Sequence, residues 1–358
     1  MSLSSEFFKR VSRAGAQAPS GDNLQPWSFV IDGETLLVLH DRQRDLSLFN
    51  VRHLASHIAL GSALENIDIA ASAEGYYADV ELFPKSQNHD AIGRITFRMG
   101  AARDPLISSI SKRCTNRRPY VKRPLSTQLI NSFNESIRFP SLSLHWIHDM
   151  EGLRRLGGVI SRADAMLFEN QQIHDHLFST LRWNQAEVEK TRDGLPIESL
   201  ELGRAGSLAF RCLKQWSIVS FLNRFGFSKA AASHSVALMR HCSAACLLTA
   251  PDTSPQTFVQ VGRAFQRIWL HATDQCLALQ PMTAIIFLQL RFRLDEYQGL
   301  TERQFQTAGA LSRELANFFS LSRDRVPAML FRLGFGSPPT ARTIRRIPHI
   351  ANATERGN

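Results

Sequence analysis

Two short segments of this chain combine side chains that could do chemistry. The first is "KRCTNRR", residues 112–118, which places three arginines, a lysine and a threonine shortly before a helix start marked by Pro124, Ser126 and Thr127. A guanidinium group donates in a fixed fork that matches phosphate oxygens, and the free N–H groups at a helix start favour negative charge. This arginine segment therefore predicts an anion site. The alternative is that its arginines only face solvent.

The second segment is "APSGDNLQPW", residues 18–27, a turn-prone run that we call the polar loop. Pro26 and Trp27 close it, and a fixed φ together with a large buried ring would make it rigid. We expect Gln25 to brace the loop. The alternative is an Asx-type turn that leads into a strand. The positions that could hydrogen-bond the edge of a planar, amide-like ring are Ser20, Gly21 and Asn23.

The elements that must position these segments follow an α+β pattern. A short helix over residues 4–17 precedes the polar loop, and a β-hairpin that turns at Asp32-Gly33 follows it. Apolar periodicity predicts two long helices, over residues 51–73 and 257–279, each with strand-like runs before and after it. Both segments are therefore expected to lie on loops that a layered α+β scaffold holds in place.

The two long helices resemble each other at a constant offset of 201 residues. Chance similarity between two amphipathic helices is one explanation. Because each helix also lies between strand-like runs, we favour two copies of one α+β unit related by a pseudo-two-fold axis. The identical pairs are Gly61 with Gly262, Ala63 with Ala264, Ile67 with Ile268, and Ala71 with Ala272.

The second half departs from this pattern in one long segment. After a helix predicted over residues 150–177, the sequence "RDGLP" introduces an apolar and basic stretch, so residues 183–235 are predicted to form a helical insertion that covers something. Beyond the second long helix, the apolar run 282–290 predicts a strand. The insertion is the part of the chain that the repeat does not explain.

Composition excludes several classes of protein. The 358 residues are 44% hydrophobic and 21% charged, which is typical of a globular chain. The net charge of +10 is not concentrated in a basic run with interleaved aromatics, so we expect no nucleic-acid partner. Cys242 and Cys246 have no second ligand pair, and we interpret them as core thiols and not as a metal site. With no apolar run of membrane-spanning length and no signal-peptide pattern, we expect a cytoplasmic protein without a membrane partner.

The sequence resembles a known family. The polar loop resembles the APSxxNxQPW segment of the nitroreductase superfamily, whose members are usually FMN-binding homodimers. Residues 111–120, "SKRCTNRRPY", resemble the arginine signature of that family, and residues 333–346, "LGFGSPPTARTIRR", resemble its carboxyl-terminal ending. The resemblance covers most of the chain outside residues 183–235. It is strongest to the single-chain, two-repeat Acg-like branch.

The order of the motifs differs from that of the ordinary family, in which the arginine signature precedes the APS segment within one subunit. Here the polar loop comes first, and the place that would match it in the second half, residues 138–146, has lost the Asn-x-Gln-Pro-Trp pattern. In the family's dimers, each flavin is held by the arginine signature of one subunit and the APS segment of the other. The fused chain is therefore expected to form one complete site and one vestigial site.

The resemblance implies an α+β, nitroreductase-like fold made of two tandem repeats. These would form an intramolecular pseudo-dimer, with antiparallel or mixed sheets flanked by helices and a helical lid. We predict a first half over residues 1–105, a second half over residues 106–350 with the lid at 183–235, and a flexible tail at 351–358. One flavin site would then need only a monomer, although a homodimer is possible.

The residues of the two segments suit FMN, whose phosphate is an anion. We assign Arg113, Cys114 and Thr115 to its phosphate region, with Arg342 or Arg345 closing over it. Arg117 would lie near the ribityl chain or the N1 and O2 edge, where a cation stabilises the reduced ring. The polar loop would face the ring with Pro19, Ser20, Gly21, Asn23 and Gln25.

The family also places backbone N–H groups near the flavin N5, after the long helix. The matching place here is residues 280–283, which gives Met282 and Thr283 as cofactor-binding candidates, although Pro281 removes one donor. No residue of the chain is assigned a catalytic role, because the flavin carries the chemistry.

The predicted function is that of an FMN-dependent oxidoreductase. Reduced nicotinamide, NAD(P)H, would give hydride to N5 and leave, and a small electrophile such as a nitroaromatic or quinone would then accept the electrons. Members of the superfamily also work in the opposite sense, with oxygen as the acceptor. The alternative is a protein that binds or sequesters FMN with little turnover, because a lid covers the flavin.

Overall fold

The computed structural model describes residues 3–85 and 89–353, and its strands form two principal sheets. The first sheet has the order β11-β1-β2-β4-β3, and the second has the order β5-β8-β10-β9. Strands β6 and β7 pair in a small parallel ladder of their own. The strands are β1 Trp27–Asp32, β2 Thr35–His40, β3 Tyr76–Leu82, β4 Ala91–Met99, β5 Ser143–Ile147, β6 Leu181–Arg182, β7 Leu195–Pro196, β8 Ala244–Ala250, β9 Ala278–Pro281, β10 Val326–Gly334 and β11 Ile350–Asn352.

Helices cover both sheets, and short 3₁₀ turns lie at residues 21–23, 51–53, 105–109 and 197–200. The helices are α1 Ser5–Gly15, α2 Leu54–Ser72, α3 Thr127–Glu135, α4 Met150–Glu169, α5 Gln171–Thr180, α6 Gln185–Thr191, α7 Gly203–Cys212, α8 Trp216–Asn223, α9 Phe227–Arg240, α10 Pro255–Asp274, α11 Ala284–Arg293 and α12 Glu302–Phe318.

In the first half of the chain, the observed helices and strands match those predicted from the sequence. The predicted hairpin is confirmed, since β1 and β2 are antiparallel with Phe29 opposite Val38. The predicted long helix is α2, and both strands predicted after it are present as β3 and β4. Alternation and turn chemistry are local signals, and they were sufficient here.

The two long helices, α2 and α10, cross at the centre of the molecule in reciprocal close contact. A Cβ on Gly61 would lie 2.0 Å from the carbonyl oxygen of Val259, and a Cβ on Gly262 would lie 2.1 Å from that of Ile58. Only glycine permits so close an approach of one helix to another backbone. Gly61 faces Val259, and Gly262 faces Ile58, which is the residue that corresponds to Val259 at the offset of 201. A pseudo-two-fold axis is expected to produce such a reciprocal pair of contacts.

Each central helix contributes to two hydrophobic cores. Under the first sheet, Phe8, Phe29 and Leu64 pack with Val259 of α10. Under the second sheet, the core includes Phe265 of α10 together with Leu54 and Ile58 of α2. The division into halves at residue 105 remains a prediction, because the two cores share these helices.

The carboxyl-terminal segment crosses from one sheet to the other. After β10 it leaves the second sheet and adds β11 to the first, parallel to β1, with Phe29 opposite Ile350. The tail predicted at residues 351–358 is therefore wrong at Ala351 and Asn352, which belong to this strand. Residues 354–358 lie outside the described part of the chain.

Two predicted elements differ in the second half. Residues 282–290, predicted as a strand, lie mostly in α11, which is buried on nearly all sides and so shows no helical periodicity in its sequence. The helix predicted over residues 150–177 is divided at Asn170, whose side chain caps α5 by accepting from the Ile173 N–H at 3.0 Å. Among the described residues, no helix is at once long and apolar enough to cross a bilayer.

Candidate functional site

A cavity of about 670 Å³ lies against the crossing of α2 and α10, a volume in the range of small-molecule sites. It brings the polar loop and the arginine segment together, although about 90 residues separate them in sequence. Of the predicted site residues, all except Gln25 line this cavity. They are Pro19, Ser20, Gly21, Asn23, Arg113, Cys114, Thr115, Arg117, Met282, Thr283, Arg342 and Arg345.

The polar loop is a strained turn that side chains hold in place. Asp22, Asn23 and Gln25 all have φ between 45° and 59°, a left-handed conformation that side chains other than glycine seldom adopt. The Ser20 hydroxyl accepts a hydrogen bond from the Gln25 N–H at 2.9 Å. The loop ends at Trp27, which is buried in the first core.

Gln25 braces the loop from outside the cavity. Its amide nitrogen donates to the carbonyl oxygens of Asn23 at 3.1 Å and Arg192 at 2.8 Å, and its oxygen accepts from the Arg346 N–H at 2.9 Å. The side chain is fully buried and thereby links three distant segments. Gln25 is therefore placed to position cofactor-binding residues, and not to contact a cofactor itself.

Arg113 is a buried cation without an acidic partner. One of its terminal nitrogens donates to the Gln17 carbonyl at 3.1 Å, and its guanidinium carbon lies 4.4 Å from the centroid of the Trp269 ring. Its Nε is buried with no hydrogen-bond partner. Burial, followed by the nearby charges of Arg345 and Arg342, lowers the pKa of Arg113 to about 9.

Arg345 reaches the same region from the carboxyl-terminal segment. It donates to the Ala18 carbonyl at 3.2 Å and to Asn23 Oδ1 at 2.7 Å, so it joins this segment to the polar loop. Burial lowers its pKa to about 10. In the described part of the chain, no carboxylate lies within ion-pair distance of Arg113, Arg342 or Arg345. Three arginines that line one cavity without a counter-charge, of which Arg113 and Arg345 are the less exposed, suit the binding of an anion.

Arg117 lies farther along the cavity, toward the inserted segment. It donates to the Ser199 carbonyl at 3.2 Å. Burial lowers its pKa, and the charges of Asp22, Tyr120 and Glu201 oppose that shift. The different role that the sequence predicted for Arg117, near the ribityl chain or the N1 and O2 edge, stays a prediction.

The opposite edge of the cavity is formed where β9 leads into α11. The Met282 N–H donates to the Leu330 carbonyl at 2.7 Å, so this donor is already used within the second sheet. Pro281 has no N–H to offer. Thr283 and Ala284 open α11 and line the cavity, and no side chain caps that helix start. The free N–H groups on this edge are therefore expected at the start of α11.

The inserted segment and its neighbours form a largely apolar wall, which we call the lid wall. In the described residues this wall carries no arginine or lysine, and its titratable groups are Asp164, His176 and His234. Its apolar members are Leu167, Phe168, Ile173, Leu177, Leu195, Leu200, Leu202, Phe210, Leu213, Phe227, Ala231, Ala232 and Leu238.

Sequence reasoning missed the polar residues of the lid wall. His176 Nε2 lies 3.1 Å from the Asp22 carboxylate, across a separation of 154 residues. Burial opposes protonation of His176, but the hydrogen bond to Asp22 and the charges of Asp22 and Asp45 raise its pKa overall. No local pattern marks such a pair, because only the folded chain brings α5 to the polar loop.

The place where the repeat predicts a vestigial second site is a cavity of about 570 Å³ whose arginines are paired with carboxylates. The repeat counterpart of the cavity residue Trp269 is Asp68, whose carboxylate lies 3.0 Å from Arg263 and 3.3 Å from Arg138. Arg138 opens the segment that lacks the Asn-x-Gln-Pro-Trp pattern. Beside them, the buried Glu65 pairs with Arg267 at 2.6 Å. These arginines, unlike Arg113, already have carboxylate partners.

Comparison with known proteins gives distant similarities over most of the chain. No family model matches it. Protein MT1398 of Mycobacterium tuberculosis is 25% identical over 347 residues, which are 95% of this chain but only 47% of that protein, so the chain spans about half of its length. A protein of the same organism named as an NAD(P)H nitroreductase, Acg, is 21% identical over 290 residues, 79% of this chain and 82% of Acg.

Among solved structures, the nitroreductase NfnB from a Sphigopyxis strain has a TM-score of 0.38 and 14% identity, and it is matched over 67% of this chain and 95% of its own. A Bacteroides fragilis nitroreductase solved with FMN has a TM-score of 0.35 and 9% identity, over 68% and 95% of the two chains. In its motifs, its α+β architecture and its similarity to Acg, this chain resembles the nitroreductase superfamily.

Proposed function

We propose that this protein is an FMN-dependent oxidoreductase of the nitroreductase type. The observation that carries the proposal is the group of three arginines without carboxylate partners, which shares one cavity with the polar loop. A flavin phosphate would supply the charge and the acceptor oxygens that these arginines lack. The buried, unpartnered Nε of Arg113 supports the same assignment.

The residues that would hold FMN come from three parts of the chain. Arg113, Thr115 and Arg345, with Arg342, would hold the phosphate, while Ser20, Gly21 and Asn23 would bind the ring edge. Both halves contribute, so a single chain suffices for one site. Because the arginines of the corresponding cavity in the other half are already paired with carboxylates, we expect one FMN per chain.

The lid wall would exclude water from the bound ring and leave room for a small molecule beside it. When bound, FMN supplies the redox chemistry, in which electrons from NAD(P)H pass to a nitroaromatic or quinone in two successive half-reactions. Similarity to a protein named as an NAD(P)H nitroreductase supports this assignment of donor and reaction class.

A second candidate function is binding or sequestration of FMN without efficient turnover. Two observations favour it: the extent of the lid wall, and the use of the Met282 N–H inside the second sheet. A lid that stays closed would keep nicotinamide from the ring while leaving FMN in place.

One experiment separates these functions. The purified protein is first examined for flavin absorbance, and NADH or NADPH is then added without oxygen. If the protein is an oxidoreductase, one of the two nucleotides should bleach the flavin absorbance. Bleaching by dithionite alone would favour sequestration, and a protein that takes up no added FMN would contradict both.

A further inference from the structure

Asp164 of α4 is an acidic side chain in an apolar part of the cavity. Its Oδ2 accepts a hydrogen bond from the Ser235 hydroxyl of α9, while Oδ1 has no partner among the described residues. Burial raises the pKa of Asp164 to about 6, and no neighbouring charge offsets the shift. An acceptor that is costly to bury and has a free oxygen is the kind of group that orients a ligand in a pocket.

The charges of the cavity are segregated. The four arginines, residues 113, 117, 342 and 345, lie with the polar loop and the carboxyl-terminal segment, whereas the lid wall in the described chain contains none. A second ligand seated against the lid wall would therefore meet aromatic and aliphatic side chains, one carboxyl group and the imidazoles of His176 and His234. It would meet no guanidinium or ammonium group there for a phosphate of its own, and His176 is already hydrogen-bonded to Asp22 at 3.1 Å.

We propose that Asp164 anchors the electron acceptor, and that this acceptor is an uncharged aromatic molecule with an O–H or N–H donor. The proposal rests on the proposed oxidoreductase function. The donor would bond Oδ1, and the ring would pack against apolar residues such as Leu167 and Phe227. Ser235 holds the other carboxylate oxygen and so fixes the direction of the free one.

The test uses two probes that differ only in the donor, 4-nitrobenzyl alcohol and its methyl ether. Their Kd values are measured by calorimetry on the oxidised protein, without turnover. Wild type is expected to prefer the alcohol by about tenfold or more, the range of a hydrogen bond to a charged group. In Asp164→Leu the preference should disappear, while Ser235→Ala should retain most of it.

Loss of the preference in both variants to the same extent would assign Asp164 only a helix-linking role and overturn the proposal. Equal Kd values for the two probes in wild type would also overturn it. The FMN content of each variant is measured separately. A protein without FMN that still prefers the alcohol would contradict the proposed function and leave this site standing.

A different observation concerns the outer surface of the inserted segment. From residue 202 to residue 251 the sequence contains no aspartate or glutamate. Large apolar side chains in this stretch face outward, with Leu208 68%, Phe221 55% and Phe225 77% exposed. Its basic residues, none of which forms an ion pair within the described chain, are Arg204, Arg211, Lys214, Arg224, Lys229 and Arg240.

The geometry points to an anionic lipid surface as the partner of this basic apolar surface. Short helices that combine exposed apolar side chains with lysine and arginine are typical of segments that lie in a membrane interface. A second copy docked symmetrically would oppose like charges, and a nucleic acid would leave the aliphatic side chains without a partner. The segment would lie on the membrane and not cross it, and this proposal replaces the expectation from the sequence that the protein has no membrane partner.

The test is co-sedimentation of the full chain with vesicles of phosphatidylcholine alone or mixed with phosphatidylserine. Binding is expected only to the mixed vesicles, and it should weaken as salt is raised. The variant L208S/F221S/F225S should bind at least tenfold less. The matched control is Y77S/M99S, which removes exposed apolar side chains from the first sheet and should bind like wild type.

Equal sedimentation with both kinds of vesicle, or with neither, would overturn the lipid assignment. So would an equal loss in the control variant. Size-exclusion chromatography of the same proteins without vesicles completes the test. Dimerisation that the triple variant abolishes would show that the surface joins two copies instead.

Discussion

Replacement of Arg113 by alanine tests the anion site most directly. In the structure its guanidinium is buried beside Trp269, has one carbonyl partner and lacks a carboxylate. If a phosphate completes it, the substitution removes a charge-assisted contact of roughly 1.5–3 kcal/mol, or about one to two decades in affinity. We expect the Kd for FMN to rise by that factor.

The assay is fluorescence titration of flavin-free protein with FMN and, in parallel, with riboflavin, which lacks the phosphate. Arg113→Ala should weaken FMN binding and change riboflavin binding little. Arg10→Ala is the matched control, because Arg10 is half-exposed on α1 and pairs at 2.6 Å with Glu74, and neither residue lines the cavity. Circular dichroism of each variant checks that it folds.

Two results would contradict a phosphate contact of Arg113. Equal Kd values for FMN in the Arg113 and Arg10 variants would remove Arg113 from the site. A loss for riboflavin as large as that for FMN would mean that Arg113 supports the cavity through Trp269 and not through a phosphate.

Three further predictions concern stability. Gly61→Ala should lower the free energy of urea unfolding by about 3 kcal/mol or more, because the added Cβ would clash with the Val259 backbone. Its control is Gly158→Ala, which has open space around it and should be neutral or slightly stabilising. Burial lowers the pKa of His57 to about 3, so the folded protein holds this histidine neutral, while the unfolded chain protonates it below about pH 6.5. The contribution of His57 to the free energy of unfolding should therefore be fully present above pH 6.5 and decrease as the pH falls toward 3. His57→Leu should make the melting temperature depend less on pH over this range. Glu65→Gln should lower the free energy of urea unfolding by about 3 kcal/mol, which is the low end for a broken buried ion pair, because Arg263 and Arg267 keep Asp68 and Asp104 as partners. A change below about 0.5 kcal/mol would contradict the structural role of this ion pair.

The local elements were predictable where the signal was local. The hairpin follows from alternation on both sides of Asp32-Gly33, and α2 follows from the length of its largely apolar run, since 19 residues are too many for a typical strand. The prediction failed at α11, because this helix has only ten residues and is buried on nearly all sides, and a short apolar run without a polar face does not distinguish a helix from a buried strand. The break at Asn170 was missed because it depends on bonds to residues such as Gly299, which lie far away in sequence.

By itself, the sequence determined the chemistry of the two segments and their family resemblance, because motif residues are fixed by type and spacing. It also predicted a repeat, and the structure places the glycine pair of that predicted repeat in reciprocal contact. Only the tertiary structure decided that Arg345 joins the polar loop, that Gln25 stands behind it, and that Asp164 faces the cavity. The physical reason is that burial, pairing and the absence of a counter-charge are properties of distant segments brought together, and no local pattern encodes them.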